Sequence, residues 1–129
     1  MTNERKQRIE FGDFQTPDGL AELVCRRLKA AGVNPDVIIE PTCGVGAFVV
    51  AAAKTFPDAK EILGLEVNKS YLTTLESRLT DLPKSKRVSL EVADFFAIDW
   101  KDKLSHADGS LLVVGNFPWV TNSTQGSIG

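Results

Sequence analysis

The stretch DVIIEPTCGVGAF, residues 36–48, joins a short apolar run to a glycine-containing turn and the start of a helix. The run is continuous rather than alternating and ends in turn residues, which is typical of a strand buried on both faces. Gly44 and Gly46 permit a tight turn at which a ligand can approach the backbone closely. A helix that begins near Ala47 presents unpaired N–H groups at its start. The stretch therefore predicts a strand, a ligand-binding loop and a helix.

A helix is predicted before this stretch, in TPDGLAELVCRRLKAAG. Thr16 is suited to the N-cap, Pro17 to the first turn and Gly32 to the C-terminal stop. The helix should be amphipathic, because apolar residues recur at helical spacing at Leu20, Leu23, Val24 and Leu28.

The same alternation continues after it. EILGLEV predicts a second buried strand, and NKSYLTTLESRLTDL predicts a helix with Asn68 at its N-cap. RVSLEVAD predicts a third strand, and a short link separates it from a fourth, LLVVGN. Strands that alternate with helices in this way form a parallel sheet with helices on both faces, so the fold class is α/β.

Composition limits the function classes. The chain has 129 residues, 43% of them hydrophobic and 25% charged, which fits one globular domain. Its net charge of −2 provides no overall basic field, which disfavours a self-sufficient nucleic-acid-binding module. The polar start MTNERKQRIE is unlike a signal peptide, and no apolar run reaches the roughly 18 residues of a membrane helix, so a soluble cytoplasmic protein is expected.

The two cysteines, Cys25 and Cys43, lie far apart and have no paired spacing. With a single histidine in the chain, this pattern disfavours a metal site. The absence of an export signal also disfavours a disulfide.

Polar residues follow each predicted strand at the same point, at Glu40, Glu66, Asp94 and Asn116. Ligands of parallel α/β sheets bind outside the carboxyl ends of the strands, so these residues predict one site. A dinucleotide-binding loop would have a third glycine where this chain has Val49. Glu40 would also repel a phosphate, so a pyrophosphate ligand is disfavoured.

The strand-end residues indicate the ligand's chemistry. Glu40 suits a cationic group such as an amino group, and Glu66 can accept both hydroxyls of a ribose. Asp94 followed by Phe95 suits an adenine ring, with the acid accepting from the exocyclic amine and the aromatic ring packing on the base. A ligand with an amino group, a ribose and an adenine but no phosphate matches S-adenosyl-L-methionine.

The segments FQTP, EPTCGVGAF, LEVN, ADFF and GNFPWVTNS resemble the ordered motifs of class I S-adenosylmethionine-dependent methyltransferases. More narrowly, they resemble the adenine-N6 DNA methyltransferases of restriction–modification type, from about residue 11 to the end of the chain. The resemblance implies a Rossmann-like fold and S-adenosyl-L-methionine as cofactor. It implies cofactor-binding roles for Thr16, Pro17, Glu40, Cys43, Gly44, Gly46, Phe48, Glu66, Val67, Asp94 and Phe95.

The tetrapeptide Asn116-Phe117-Pro118-Trp119 corresponds to the family's catalytic Asn-Pro-Pro-aromatic motif. An adenine amino group is a poor nucleophile because its lone pair is delocalised into the ring. Acceptors on both N–H groups, the Asn116 side chain and the carbonyl of Phe117, would favour the reactive pyramidal form by positioning alone. Pro118 confines Phe117 to extended backbone geometry, and Trp119 offers a stacking face for a base taken out of its helix.

Phe117 stands where the family usually has proline. A large apolar residue at this place also occurs in rRNA adenine dimethyltransferases, and related tetrapeptides serve methyltransferases that act on a protein glutamine. DNA is the expected substrate, with rRNA adenine, protein glutamine and a non-catalytic cofactor-binding fragment as alternatives.

The resemblance also implies a domain organisation. Residues 1–13 are expected to form an irregular arm, and residues 14–129 the N-terminal half of a methyltransferase domain that has seven strands in the family. Four strands are predicted here, so LLVV would be an exposed edge open to association. We expect a truncated chain whose DNA-recognition region would lie further on.

Overall fold

Four strands form a parallel sheet in the structure, a computed structural model that describes residues 15–117. They are β1 (Val37–Glu40), β2 (Glu61–Glu66), β3 (Val88–Val92) and β4 (Leu111–Val113). Their order across the sheet is β3-β2-β1-β4, and β1 therefore pairs with both β2 and β4. Because all the pairings are parallel, the carboxyl ends of the four strands lie at one edge of the sheet.

The helices are α1 (Asp18–Ala30), α2 (Ala47–Thr55), α3 (Lys69–Leu79) and the short α4 (Trp100–Ser105). A 3₁₀ turn at Ser85–Arg87 precedes β3. The expected alternation of strands and helices is confirmed. The link before β4 is more structured than predicted, since it contains α4, whose Asp99 N-cap accepts a hydrogen bond from Asp102 N–H at 3.1 Å.

Successive strand residues point to opposite faces of the sheet, and each face has its own core. Ile38 and Ile62 are fully buried in one cluster with residues of α1, α2 and α3. Val37, Ile39 and Leu65 form a smaller cluster on the opposite face, against the segment that carries α4. The predicted α/β class, a parallel sheet flanked by helices, is therefore confirmed.

The start of α1 and part of its buried face differ from the sequence prediction, although Val24 and Leu28 pack against the core as expected. Pro17, not Thr16, is the N-cap, and none of the side chains within residues 15–117 caps this end of the helix. Leu20 and Leu23 are 50% and 43% exposed, whereas the small residues Ala21 and Cys25 are fully buried. Small side chains let α1 approach α2 closely, and this long-range contact selects which residues are buried.

The predicted start of α3 is confirmed. Ser70 N–H donates to Asn68 Oδ1 at 3.0 Å, which is the hydrogen bond expected of an N-cap asparagine. Leu72, Leu75 and Leu79 are buried along one face of the helix. This regular face fixes α3 beside the loop that follows β1.

Both cysteines are buried and neither forms a disulfide. In residues 15–117, no three His, Cys, Asp or Glu side chains come together in a group that could hold a metal ion. None of the helices in this part of the chain is long and apolar enough to cross a bilayer.

Candidate functional site

A cavity of about 280 Å³ lies at the carboxyl ends of the strands. This volume is near the lower end of the range of small-molecule pockets, roughly 300–1,000 Å³. The cavity brings together most of the residues that the sequence singled out, although they come from separate elements along the chain. Those in its wall are Thr16, Glu40, Cys43, Gly44, Phe48, Glu66, Val67, Asp94, Phe95 and Asn116.

Three other predicted site residues, Pro17, Gly46 and Phe117, are not in the cavity wall. Each is a neighbour of a wall residue. Pro17, the N-cap of α1, follows Thr16; Gly46, the N-cap of α2, precedes Ala47; and the Phe117 ring packs on Phe95. Pro118, Trp119 and the expected arm at residues 1–13 lie outside the described residues.

The wall also contains residues that the sequence reading missed, namely Gln15, Pro41, Thr42, Ala47, Asn68, Ala93 and Phe96. All are close in sequence to predicted site residues. Gln15 belongs to the FQTP segment, and Thr42 belongs to the loop after β1. The predicted residues beside them in the sequence indicate the part of the fold in which they lie. No local sequence pattern, however, indicates which side chains of a loop face a cavity.

Glu66 ends β2 and is 8% exposed. Its carboxylate accepts from Gly44 N–H at 2.9 Å through Oε1 and from Asn68 N–H at 2.8 Å through Oε2. These bonds fix the carboxylate between the glycine loop and the start of α3. Carboxylate oxygens accept from N–H and O–H groups, so the chemistry of this side chain suits a ligand that presents hydroxyl donors.

Glu40 ends β1 and is 2% exposed, which makes it the most buried acid of the site. Burial raises the pKa of Glu40 to about 7; hydrogen bonds from Thr42 oppose this effect and the nearby Glu66 carboxylate adds to it. Thr42 N–H donates to Glu40 Oε1 at 2.8 Å. A buried carboxyl with a pKa near neutrality is well suited to receive a positively charged ligand group, which would stabilise its ionised form.

The glycine loop between β1 and α2 owes its shape to positive backbone angles, with φ of 55° at Gly44 and 95° at Gly46. A Cβ atom at Gly44 would collide with the Gln15 side chain, and one at Gly46 would collide with Leu75 of α3. The positive φ angles favour glycine at both positions, and at Gly46 the close approach of Leu75 also leaves little room for a side chain. The loop is packed from two sides by other parts of the chain.

Asp94 and Phe95 follow β3 at the other side of the cavity. Phe96 N–H donates to Asp94 Oδ1 at 3.0 Å, which leaves the second carboxylate oxygen available for a ligand. Phe95 is held in an aromatic cluster: its ring centroid lies 5.4 Å from Trp100 and 6.2 Å from Phe117, the latter in a stacked arrangement. This wall combines an acceptor with aromatic surface.

The segment after β4 brings Asn116 to the cavity. Gly115 passes close to Glu40, and a Cβ atom at this position would collide with the carboxylate. Thr42 Oγ1 donates to the Asn116 carbonyl at 3.2 Å. The loop after β1 therefore fixes the backbone from which the Asn116 side chain extends.

Cys43 is buried in the wall between the acids. Burial raises the pKa of its thiol, and the negative charges of Glu40 and Glu66 raise it further. The group therefore stays a protonated thiol at neutral pH and serves as a small wall residue, not as a nucleophile.

The electrostatic character of the cavity is acidic. Three carboxylates line it, those of Glu40, Glu66 and Asp94, and among its described wall residues none is Lys, Arg or His. Such a site opposes phosphate groups and favours a ligand with positive charge and hydrogen-bond donors.

The sequence profile described as N-6 DNA Methylase matches residues 2–127 of the chain. The type II methyltransferase M.NspV of Nostoc sp. is 46% identical over 126 residues, which are 98% of this chain and 26% of that protein. The type II methyltransferase M.CvrRI of Paramecium bursaria Chlorella virus XZ-6E is 28% identical over 121 residues, 93% of this chain and 27% of that protein. The chain thus spans about a quarter of the length of these relatives.

Solved structures support the fold. An RNA methyltransferase from Salinibacter ruber, in complex with S-adenosyl-L-homocysteine, aligns with a TM-score of 0.54 and 24% identity. The alignment covers 67% of this chain and 54% of that protein. At this level of identity the likeness bears on the Rossmann-like fold and not on the substrate.

Proposed function

The chain belongs to the N-6 DNA methylase family, and on that premise we propose that it carries the cofactor site and catalytic residues of an adenine-N6 DNA methyltransferase. The observation that carries the proposal is the convergence of Glu40, Glu66, Asp94 and Asn116 on one cavity. These residues come from the ends of four strands, and each has a side chain suited to one part of the reaction.

The donor set of the cavity fits S-adenosyl-L-methionine. Glu40 receives the amino group of its methionine part, Glu66 the ribose hydroxyls, and Asp94 with Phe95 the adenine. Thr16, Cys43, Gly44, Phe48 and Val67 complete the wall around it. Pro17 and Gly46 act indirectly, because they set the start of α1 and of α2. The acidic character of the cavity matches a ligand whose ammonium and sulfonium groups are both positive.

When bound, this cofactor supplies a methyl group on a positively charged sulfur. Asn116 Oδ1 accepts one N–H of the target adenine, and the Phe117 carbonyl accepts the other. The nitrogen lone pair would then be directed towards the methyl group that the cofactor supplies, and the amine would release its proton to solvent once the methyl group is transferred. Pro118 stiffens this segment and Trp119 stacks on the base. The protein contributes positioning rather than a strong base.

DNA is the substrate that the family match favours. The acidic cavity and the net charge of −2 give the chain little to hold a phosphate backbone. We propose that DNA is held through sequence beyond the N-terminal half of the domain, and that the enzyme works in the cytoplasm. The β4 edge, where Val113 is 41% exposed, is the proposed surface on which that remaining part would associate.

Binding of the cofactor is the first test. In isothermal titration, the chain should bind S-adenosyl-L-methionine or S-adenosyl-L-homocysteine with one site per chain, and NAD should bind far more weakly. Glu66→Ala should weaken binding at least tenfold, whereas Glu76→Ala, on the exposed face of α3, should have no effect. Equal binding of NAD, or no effect of Glu66→Ala, would contradict the proposed cofactor site.

Methyl transfer is the second test, made with the chain assembled with the remaining part of the domain, tritiated cofactor, and unmethylated DNA, rRNA or a glutamine-containing peptide. We expect label in the N6 position of DNA adenine. Asn116→Ala should abolish transfer and change the cofactor Kd by less than about twofold, because this residue acts on the target amine. Label in rRNA or peptide but not in DNA would overturn the substrate assignment, and joint loss of transfer and binding would overturn the role of Asn116.

A further inference from the structure

Helix α3 contacts the glycine loop through two residues on the same face. Leu75 lies directly against Gly46, where a Cβ atom would collide with it. Arg78, three residues further along the same helix, donates from Nη1 to the Val45 carbonyl at 2.9 Å. Residues three apart on a helix lie on one surface, so the loop is packed and hydrogen-bonded by a single helix face.

The Arg78 guanidinium makes a second contact with its other terminal nitrogen. Nη2 donates to Asp18 Oδ1 at 2.9 Å, in the first turn of α1. One planar fork therefore joins three parts of the chain that are distant in sequence: α3, the tip of the glycine loop and the start of α1. Arg78 is not in the cavity wall and is not part of the tetrapeptide at residues 116–119.

The opposite side of the same loop residue is held by the segment before α1. Val45 N–H donates to Gln15 Oε1 at 3.1 Å, and Gln15 itself lies in the cavity wall. The N–H and the carbonyl of Val45 are thus both bonded to side chains from outside the loop. Gln15 and Asp18 are three residues apart, so the Val45–Gln15 bond and the Arg78–Asp18 ion pair both depend on the position of one segment, residues 15–18, which we call the strap.

We propose that Arg78 is a positioning residue that locks the strap and the glycine loop together and so sets how tightly the cavity holds its ligand. The inference rests on the proposed function for the identity of the ligand, S-adenosyl-L-methionine. Without the Arg78 guanidinium, the strap loses its ion pair with α3, and the Val45 carbonyl at the tip of the glycine loop loses its hydrogen bond. The wall carried by Gln15 and Thr16 is then held less firmly, although no residue that lines the cavity has been substituted.

Lysine is the informative replacement at position 78. It keeps the positive charge and most of the side-chain length, but a single ammonium group cannot reproduce the planar fork that bonds Val45 and Asp18 together. A role that depended only on charge would survive Arg78→Lys, whereas the proposed lock would not. Lys103 provides a matched control, because it forms an ion pair with Glu91 at 2.8 Å, has the same 29% side-chain exposure as Arg78, and lies outside this cavity.

The test uses the full 129-residue chain with three substitutions, Arg78→Lys, Gln15→Ala and Lys103→Met. Titration with S-adenosyl-L-methionine gives the Kd, and hydrogen exchange followed by mass spectrometry reports on peptides that cover the glycine loop. Arg78→Lys should raise the Kd roughly tenfold and speed exchange at the loop, because a charge-assisted hydrogen bond is lost there. Lys103→Met should change neither quantity.

The double variant Gln15→Ala/Arg78→Lys tests whether the two side chains act on the same peptide group or independently. If both residues lock the same peptide, the second substitution should add little to the first, whereas independent effects would multiply. An unchanged Kd and unchanged loop exchange in Arg78→Lys would overturn the inference, and so would multiplicative effects. If the unmodified chain binds no S-adenosyl-L-methionine, the proposed function fails, and loop exchange alone then decides whether Arg78 locks the loop.

Discussion

Replacing Glu40 by glutamine removes the most buried carboxyl group of the cavity and keeps its shape. The side chain is 2% exposed, and Thr42 N–H donates to its Oε1 at 2.8 Å. Glutamine retains an oxygen that can accept this bond. The substitution therefore tests the ionisation of the group with little disturbance of packing.

The expected magnitude follows from the pKa of Glu40, which burial raises from 4.5 to about 7. At about 1.4 kcal/mol for each tenfold change in proton affinity, the difference corresponds to about 3 kcal/mol. Below pH 4.5 the carboxyl is protonated in the folded and the unfolded chain. As the pH rises from 4.5 to 7, the unfolded chain releases its proton while the folded chain retains it, so stability falls and then levels off.

The assay is urea unfolding at several pH values, followed by tryptophan fluorescence, without ligand. Between pH 5 and pH 8 the unmodified chain should lose about 2 to 3 kcal/mol of unfolding free energy relative to Glu40→Gln. Glu76→Gln, at an exposed position of α3, is the control and should follow the unmodified chain at every pH.

Parallel pH profiles of Glu40→Gln and the unmodified chain would refute this reasoning. They would mean that the Glu40 carboxyl is as easily ionised in the folded as in the unfolded chain. A stability difference that widens as the pH falls would refute it as well, because it would require a lowered pKa.

Two further predictions concern the loop and helix that shape the cavity. Gly46→Ala should reduce stability by about 2 to 4 kcal/mol in urea unfolding, because its φ is 95° and the added Cβ would meet Leu75. Gly19→Ala, in α1 with open space around it, should be neutral or stabilising by at most about 1 kcal/mol, and equal effects of the two substitutions would contradict the structure. Asn68→Ala should cost about 1 kcal/mol through loss of the α3 N-cap, measured by thermal unfolding, and an unchanged midpoint would exclude that cap.

Local sequence patterns were sufficient to predict the four strands, the three longer helices and the place of the candidate cavity. Three of the predicted strands are short apolar runs and RVSLEVAD alternates, and a polar residue follows each of them, so Glu40, Glu66, Asp94 and Asn116 could be identified without coordinates. Parallel topology then requires their convergence at one edge of the sheet, and the cavity is found there. The Asn68 cap could be predicted for the same reason, since its hydrogen bond spans two residues.

Predictions that depended on distant contacts were less successful. Helical spacing marked Leu20, Leu23, Val24 and Leu28 as the apolar positions of α1. Val24 and Leu28 pack against the core, but Leu20 and Leu23 are exposed, and the contact with α2 buries Ala21 and Cys25. The helix α4 was missed because a six-residue element has too little periodicity to be read from sequence.

A parallel α/β fold, a glycine loop and an acidic cluster at the strand ends could be predicted from the sequence, because they follow from periodicity and from residues adjacent in the chain. The contacts that hold the candidate site in place are visible only in three dimensions. Glu66 bonds Gly44 across 22 residues, and Arg78 bonds Val45 across 33. Such side-chain-to-backbone bonds have no periodic signature, since they form only where packing brings a donor and an acceptor from separate elements to hydrogen-bonding distance.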